Sequence, residues 1–326
     1  TQNNDAENNN TAIGALAGTS VTTGIQNTLI GSGAGDALTT ANNSVAIGYA
    51  ALSSNTGNAG NTAVGMTALQ NFNVATGSAY NTAVGAAAGG AVTTGVQNTL
   101  IGGLAGDAIT DADFNVAVGY AALGADTLGH KNTAIGYGTL ASHNPATAAD
   151  TVNTALGYNA GTSVSTGTLN TLIGGLVGDA LTTGSDNVSV GYQSLSTDTL
   201  GSHSVAVGRN ALLSQNFTTA TNTYNVAVGS SAGQSITTGT KNTLIGGLAG
   251  DALTTGITNV AVGYQALSSD TLGKRSVAIG NAALFTQNLT TATDTYNVAV
   301  GESAGLSVTT GTALTLIGGL AGDALT

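Results

Sequence analysis

The acidic residues are few and regularly placed. Asp36, Asp107, Asp179, Asp251 and Asp323 recur at intervals of 71 or 72 residues. Repeated carboxylates invite a metal reading, because calcium and magnesium are held by oxygen ligands. The surrounding sequence lacks the dense acidic spacing of a calcium loop. If the chain stacks turn upon turn, this Asp occurs once in four turns. Successive members then stand about 19 Å apart, at roughly 4.8 Å per layer, too far to share one ion. A divalent site stays open only where a threefold axis gathers copies of the chain. The scaffold role, a carboxylate accepting backbone N–H bonds at a corner, is the expected one. No cofactor is called for.

Other chemistry is equally thin. His130, His143 and His203 fall in connections. None has helical metal-ligand spacing, and none lies beside a Ser nucleophile with an Asp in tow, so surface histidines are expected. Gly174-Gly-Leu-Val-Gly178 holds part of a dinucleotide fingerprint, but no helix follows it. Glycan hydrolysis needs two carboxylates at catalytic separation. Here most acids occupy repeat-equivalent positions, as scaffold residues do, and no enzyme is expected. A glycan-acting β-solenoid remains the alternative from another class.

Charge excludes further classes. The chain has 5 basic and 16 acidic residues, net −11, and only Lys274 and Arg275 are adjacent. No basic stripe tracks a phosphate backbone, so nucleic acid is not an expected partner. No apolar run approaches the roughly 18 residues of a membrane span. Cysteine is absent, which removes disulfides and thiolate metal sites. The chain opens at Thr1 without Met, as a mature chain or a fragment does, and stops at Thr326 inside a turn. Because a solenoid end needs a polar cap, further protein or a partner is expected beyond Thr326.

What must position all these residues is a repeat. Asn98-Thr-Leu-Ile-Gly102 is one copy of a phrase whose Gly returns at 14, 31, 48, 65, 85 and onward to 318, eighteen times. The steps are 17 residues, with every fourth step 20 or 21. A fixed period of this size signals a stacked solenoid. Residues 1–9 form a polar entry, and 10–326 form a single repeat domain. Its four-turn super-repeats span about 10–80, 81–152, 153–224 and 225–296, with a partial one at 297–326.

Each turn reads as strand, tight corner, strand, tight corner. Within the first strand Thr or Val and Ile or Val share one face, and Ala or Leu takes the other. Leu100 and Ile101 thus need dry surfaces on opposite sides. A strand apolar on both faces is buried on both faces, and a neighbouring copy of the chain is the simplest cover. Four residues before each Gly stands Asn in fourteen copies, Ser in three and Leu in one. Stacked Asn side chains at corners predict an amide ladder. Eight residues after each Gly stands Thr in thirteen copies, with Asn in the four long turns. Thr ranks of this kind bind ice on some flat solenoids, an analogy weakened here by Asn in every fourth turn.

Ser44-Val-Ala-Ile-Gly48, Ser204-Val-Ala-Val-Gly208 and Ser276-Val-Ala-Ile-Gly280 resemble the head repeats of trimeric autotransporter adhesins of the YadA type. Asn132-Thr-Ala-Ile-Gly-Tyr-Gly-Thr-Leu140 is similar also to repeats of phage and bacterial tail-fibre proteins. The resemblance covers about residues 10–326. It implies an all-β, left-handed parallel β-roll of about 18 turns, three chains side by side, and an extracellular place on a cell surface or a virion. It brings no catalytic residues. The turns here are longer than in such heads, every fourth turn carries an extra loop, and no neck, heptad stalk or anchor segment is seen. The long connections, 71–80, 143–152, 215–224 and 287–296, hold Phe72, Tyr80, Phe217, Tyr224 and Tyr296. Loops on a rigid scaffold commonly carry binding, and aromatic rings anchor sugars or proteins. A surface glycan or protein receptor is the partner these loops suggest. The opposing expectation is that the same rings fold back over the edge of the roll.

Overall fold

The computed structural model describes residues 8–74 and 77–326. Most of the polar entry, and two residues of the first long connection, lie outside the described residues. Two compact units are distinguished, Thr1–Thr166 and Gly167–Thr326. Each unit holds nine copies of one three-residue strand, from Thr11–Ile13 to Thr154–Leu156 in the first and from Thr171–Ile173 to Thr315–Ile317 in the second. Neighbouring copies pair in parallel and in register. Thr99 lies opposite Val116, Leu100 opposite Ala117 and Ile101 opposite Val118. Val260, Ala261 and Val262 meet Val277, Ala278 and Ile279 in the same way. Among the described residues there is no helix. The fold is an all-β parallel solenoid of about eighteen turns with a 17-residue period.

The second strand expected in each turn is mostly absent. Among the described residues, short second pairings occur only beside the long connections. Gly129–His130 pairs with Ala149–Asp150, and Gly201–Ser202 pairs with Thr221–Asn222. Elsewhere the return path is a run of turns. The cause is backbone conformation: Leu104 (φ 57°) and Gly106 (φ 54°), and likewise Ala121 and Leu123, are left-handed, which breaks a strand. These turns still bond to the layer above, as Gly106 N–H does to Ala122 O at 2.9 Å.

The recurring Gly is required twice over. Gly102 has φ 134°, a region closed to side chains. A Cβ there would lie 2.5 Å from the carbonyl oxygen of Gly119, the same Gly one turn on. The glycines therefore stack backbone on backbone.

The Asn column works differently from the expected amide ladder. Asn98 Oδ1 accepts the backbone N–H of Asn115 at 2.9 Å, and Asn98 Nδ2 donates to Ala112 O at 2.8 Å. Each buried amide thus ties its own turn to the next through the backbone, satisfying main-chain groups that the missing strand leaves unpaired. Amide-to-amide contacts are secondary, as between Asn187 Nδ2 and Asn170 Oδ1 at 3.1 Å.

The core explains why the repeat has a four-turn beat. Four residues after the recurring Gly, two successive turns carry Gly and the next two carry Leu, as in Gly89, Gly106, Leu123 and Leu140. Where Gly stands, a larger neighbour fills the space: a Cβ on Gly106 would meet Leu100 Cδ2 and Ile109 Cδ1, each at 2.8 Å. Where Leu stands, the strand's inward residue is small (Ala117, Ala134), and seven residues after the Gly comes a buried polar side chain (Asp126) or its partner (His143), Phe72 in the first four turns being the exception. Two dry turns thus alternate with two turns that enclose a polar network.

Candidate interaction surface

Each three-residue strand sends only its middle side chain inward. Leu100, Ala117, Leu244 and Ala261 are fully buried. The first and third residues point outward, so the predicted second apolar face is exposed in the single chain. Ile101 retains 38% of its surface and Ile245 40%. Throughout both units these outward positions hold Thr or Val first and Ile, Val or Leu third, never a charged residue. A charge-free, β-branched sheet face open to water is unusual for an isolated soluble chain.

Next to this face, the residue after the recurring Gly is a row of large side chains in some turns: Tyr49, Met66, Tyr120, Tyr137, Tyr158, Tyr192 and Tyr264, all exposed. Tyr120 rests on Gly103 of the preceding turn, Tyr192 on Gly175 and Tyr264 on Gly247, where an added Cβ would meet the ring at 3.4–3.6 Å. Arg209 and Glu302 hold this place in two other turns, and many of the remaining charges lie at the corner before the Asn column. There Lys131 pairs with Asp150 at 2.5 Å and Arg275 with Asp294 at 3.4 Å. Arg275 also lies over the Tyr296 ring, 5.5 Å from its centroid.

The aromatics of the long connections divide. Phe72 is fully buried and Phe217 nearly so, which removes both from the contact residues expected there; apolar rings without a polar handle fill the core. Tyr80, Tyr224 and Tyr296 remain more than half exposed. They sit in left-handed conformation just before an Asn, which throws their rings off the corner.

The regularly spaced acids are not gathered. Asp251 Oδ1 accepts from Ser268 Oγ at 2.6 Å, whereas Asp36 Oδ1 and Asp179 Oδ1 are buried without a partner. Burial raises the Asp107 and Asp179 carboxyls above the ordinary Asp value, against a lowering contribution from each residue's own backbone N–H. Among the described residues no group of three or more metal-ligating side chains comes together.

The corner-capping carboxylates are a different set, Asp126, Asp198 and Asp270. Asp126 Oδ1 accepts Gly129 N–H at 2.7 Å, Asp198 Oδ1 accepts Gly201 N–H at 3.0 Å and Asp270 Oδ1 accepts Gly273 N–H at 2.9 Å. Their signature was present in the sequence as Asp-Thr-Leu-Gly, repeated three times. Each Asp is buried and faces a partner from the next turn. Gln215 Nε2 donates to Asp198 Oδ2 at 2.6 Å and to Ser204 Oγ at 2.9 Å, and its Oε1 accepts from Asn225 Nδ2 at 2.8 Å. Gln287 repeats this with Asp270, Ser276 and Asn297. In the second four-turn unit the partner is His143. It is fully buried, contrary to the surface placement expected, because the network supplies a carboxylate and an amide to its two ring nitrogens. The other two histidines also face acids, His130 to Asp113 at 3.8 Å and His203 to Asp186 at 3.9 Å.

The Thr column is a stacking element. Thr93 Oγ1 donates to Thr110 O and Thr110 Oγ1 to Thr127 O, both at 3.1 Å, and Thr127 Oγ1 ends the run on Asn144 Oδ1 at 2.7 Å. Each hydroxyl proton is committed to the next turn, and Asn in the long turn closes the series.

No protein-family profile matches this sequence, and no curated protein is detectably similar to it.

Proposed function

We propose that this chain is a structural and adhesive segment of an extracellular fibre, borne on a cell surface or a virion, in which three copies stand side by side. The observation that carries the reading is the outward strand face. It offers β-branched side chains in every turn and carries no charge on its strand positions, with only Arg209 and Glu302 charged in the row beside it. Homomeric interfaces are the more apolar kind, resembling a core cut in half. The polar and charged corner lies away from that face and would remain in water. Tyr80, Tyr224 and Tyr296 then project from the outer side as contacts for a surface glycan or a protein receptor.

The test is the mass of the particle in solution. Light scattering on the purified chain is expected to give three chains per particle. A monomer with full β content by circular dichroism would overturn the assembly.

A further inference from the structure

One stretch of the tyrosine row differs from the rest. Tyr120, Tyr137 and Tyr158 occupy three successive turns. Their rings stack with centroids 5.6 Å and 5.5 Å apart and planes inclined by 14° and 13°. All three belong to the first compact unit, and each is exposed over half its surface. Tyr49, Tyr192 and Tyr264 hold the same place in their turns, but are followed there by Met66, Arg209 and Asn281. Only one four-turn stretch therefore sets phenol against phenol.

The rest of the composition bears on what such a ladder does. The chain has no cysteine, no tryptophan and a single methionine, Met66. These are the side chains that usually intercept oxidants. Apart from the exposed Met66, the exposed phenols are then the principal oxidisable groups. Parallel in-register stacking holds neighbouring rings about one strand spacing, roughly 4.8 Å, apart at the backbone. Because the side chains are half exposed, the rings can swing from face-to-face to edge-to-edge contact without disturbing the core.

We infer that Tyr120, Tyr137 and Tyr158 are a site of oxidative cross-linking, in which a peroxidase with hydrogen peroxide joins neighbouring turns through dityrosine. Two phenols each lose one electron and one proton to give phenoxyl radicals. The radicals couple between ring carbons ortho to oxygen, forming one C–C bond. The two ring hydrogens at that bond move to the phenol oxygens, restoring aromaticity. Overall two tyrosines lose two electrons and two protons, and one hydrogen peroxide takes them up to become two waters. Tyr137 is central and can couple to either neighbour. The bond closes a loop of 17 residues to Tyr120 or 21 to Tyr158. Closing a loop narrows the unfolded ensemble as a disulfide does, and in this case the link resists reduction.

The folded chain is treated with a haem peroxidase and limiting peroxide, at low protein concentration, then denatured and digested with trypsin. Cleavage after Lys131 places Tyr120 in one peptide and Tyr137 in the next. The expected product is these two peptides joined, lighter by two hydrogens than their sum, with dityrosine fluorescence. Tyr137→Phe keeps the ring and the stack but should abolish that product. Protein denatured before oxidation should lose the preference for these positions. Cross-links spread evenly over Tyr49, Tyr192 and Tyr264, or found chiefly between chains on denaturing gels, would overturn the assignment. A link within one chain is told from one between chains by the mass of the denatured product, so failure of the proposed assembly would leave the assignment standing.

Discussion

His143 Nδ1 lies 2.7 Å from Asp126 Oδ2, and neither side chain reaches solvent. The other ring nitrogen, Nε2, faces Asn153 Nδ2 at 3.3 Å. The equivalent Gln215 and Gln287 amides donate to Asp and accept from Asn. The imidazole reproduces both bonds when Nδ1 carries the proton. In the first four-turn unit the same two positions are Asn55 and Phe72, both buried. Carboxylate with donor, or amide with apolar ring, are therefore the two solutions this core accepts.

His143→Gln is expected to leave unfolding by denaturant nearly unchanged, since Gln serves in two other units. His143→Phe should cost roughly 3 kcal/mol, because it leaves the buried Asp126 Oδ2 with only the longer 3.3 Å bond from Asn132 Nδ2. Adding Asp126→Asn should recover part of that loss, reproducing the Asn55 and Phe72 combination. The double-mutant cycle reads the coupling directly. Equal damage from Gln and Phe at position 143 would refute the equivalence.

The glycine column predicts a contrast between two identical substitutions. Gly102→Ala meets both a φ of 134° and the Gly119 carbonyl oxygen at 2.5 Å. Gly103→Ala, one residue on, has no left-handed φ to oppose it and meets nothing nearer than the Tyr120 ring at 3.5 Å, an ordinary contact distance. The second should change stability by no more than about 0.5 kcal/mol. The first should cost distinctly more and open the stack locally, visible as faster amide exchange at Thr99 and Val116.

Much of this was legible in the sequence. Gly102 and Asn98 announce themselves by recurrence, and both do what their chemistry suggests, with Asn98 bonding to backbone in place of amide. Leu100 and Ile101 were expected on opposite faces because strand periodicity is rigid; which of the two faces the core, Leu100, is seen only in the structure. The single strand per turn was not legible. It follows from Leu123 at φ 52° and Leu104 at φ 57°, conformations that cost an L-residue about 1–2 kcal/mol in isolation. Leu123 is held there by complete burial, a tertiary effect that propensity does not contain. The 17-residue step already set Asp126 and His143 in successive turns; what stayed hidden is that both side chains turn into the core.

Asp198 gives the stability a pH dependence of definite sign. Burial raises its carboxyl above the ordinary Asp value, outweighing the lowering by Gln215 and by the backbone N–H groups of Gly201, Phe217 and Leu200. The folded state then holds this proton more tightly than the unfolded state. Its contribution is fully present below the unfolded Asp value and is lost as pH rises through the raised folded value. Asp107 and Asp179 are shifted in the same direction by burial. Denaturant unfolding across that window should show this component falling as pH rises, and Asp198→Asn should flatten the slope. An unchanged slope in the variant would exclude Asp198 as its source.

The outward strand face allows assembly to be separated from folding. Ile101 and Ile245 are over a third exposed in the single chain, so Lys at either position can place its ammonium in water above the sheet. Surface substitutions of this kind usually shift stability by about 0.5 kcal/mol or less. In three chains packed face to face, the same Lys would bring like charges together on a common axis, with no acidic side chain on that face to answer them. Ile101→Lys with Ile245→Lys should therefore keep the circular dichroism of the parent and sediment as single chains. As a control, Lys241→Glu, at the charged corner, should leave the particle mass unchanged. Loss of β content in the double variant before any change in mass would mean that the face supports the single chain's own fold. Unchanged mass with intact fold would mean that the copies meet elsewhere.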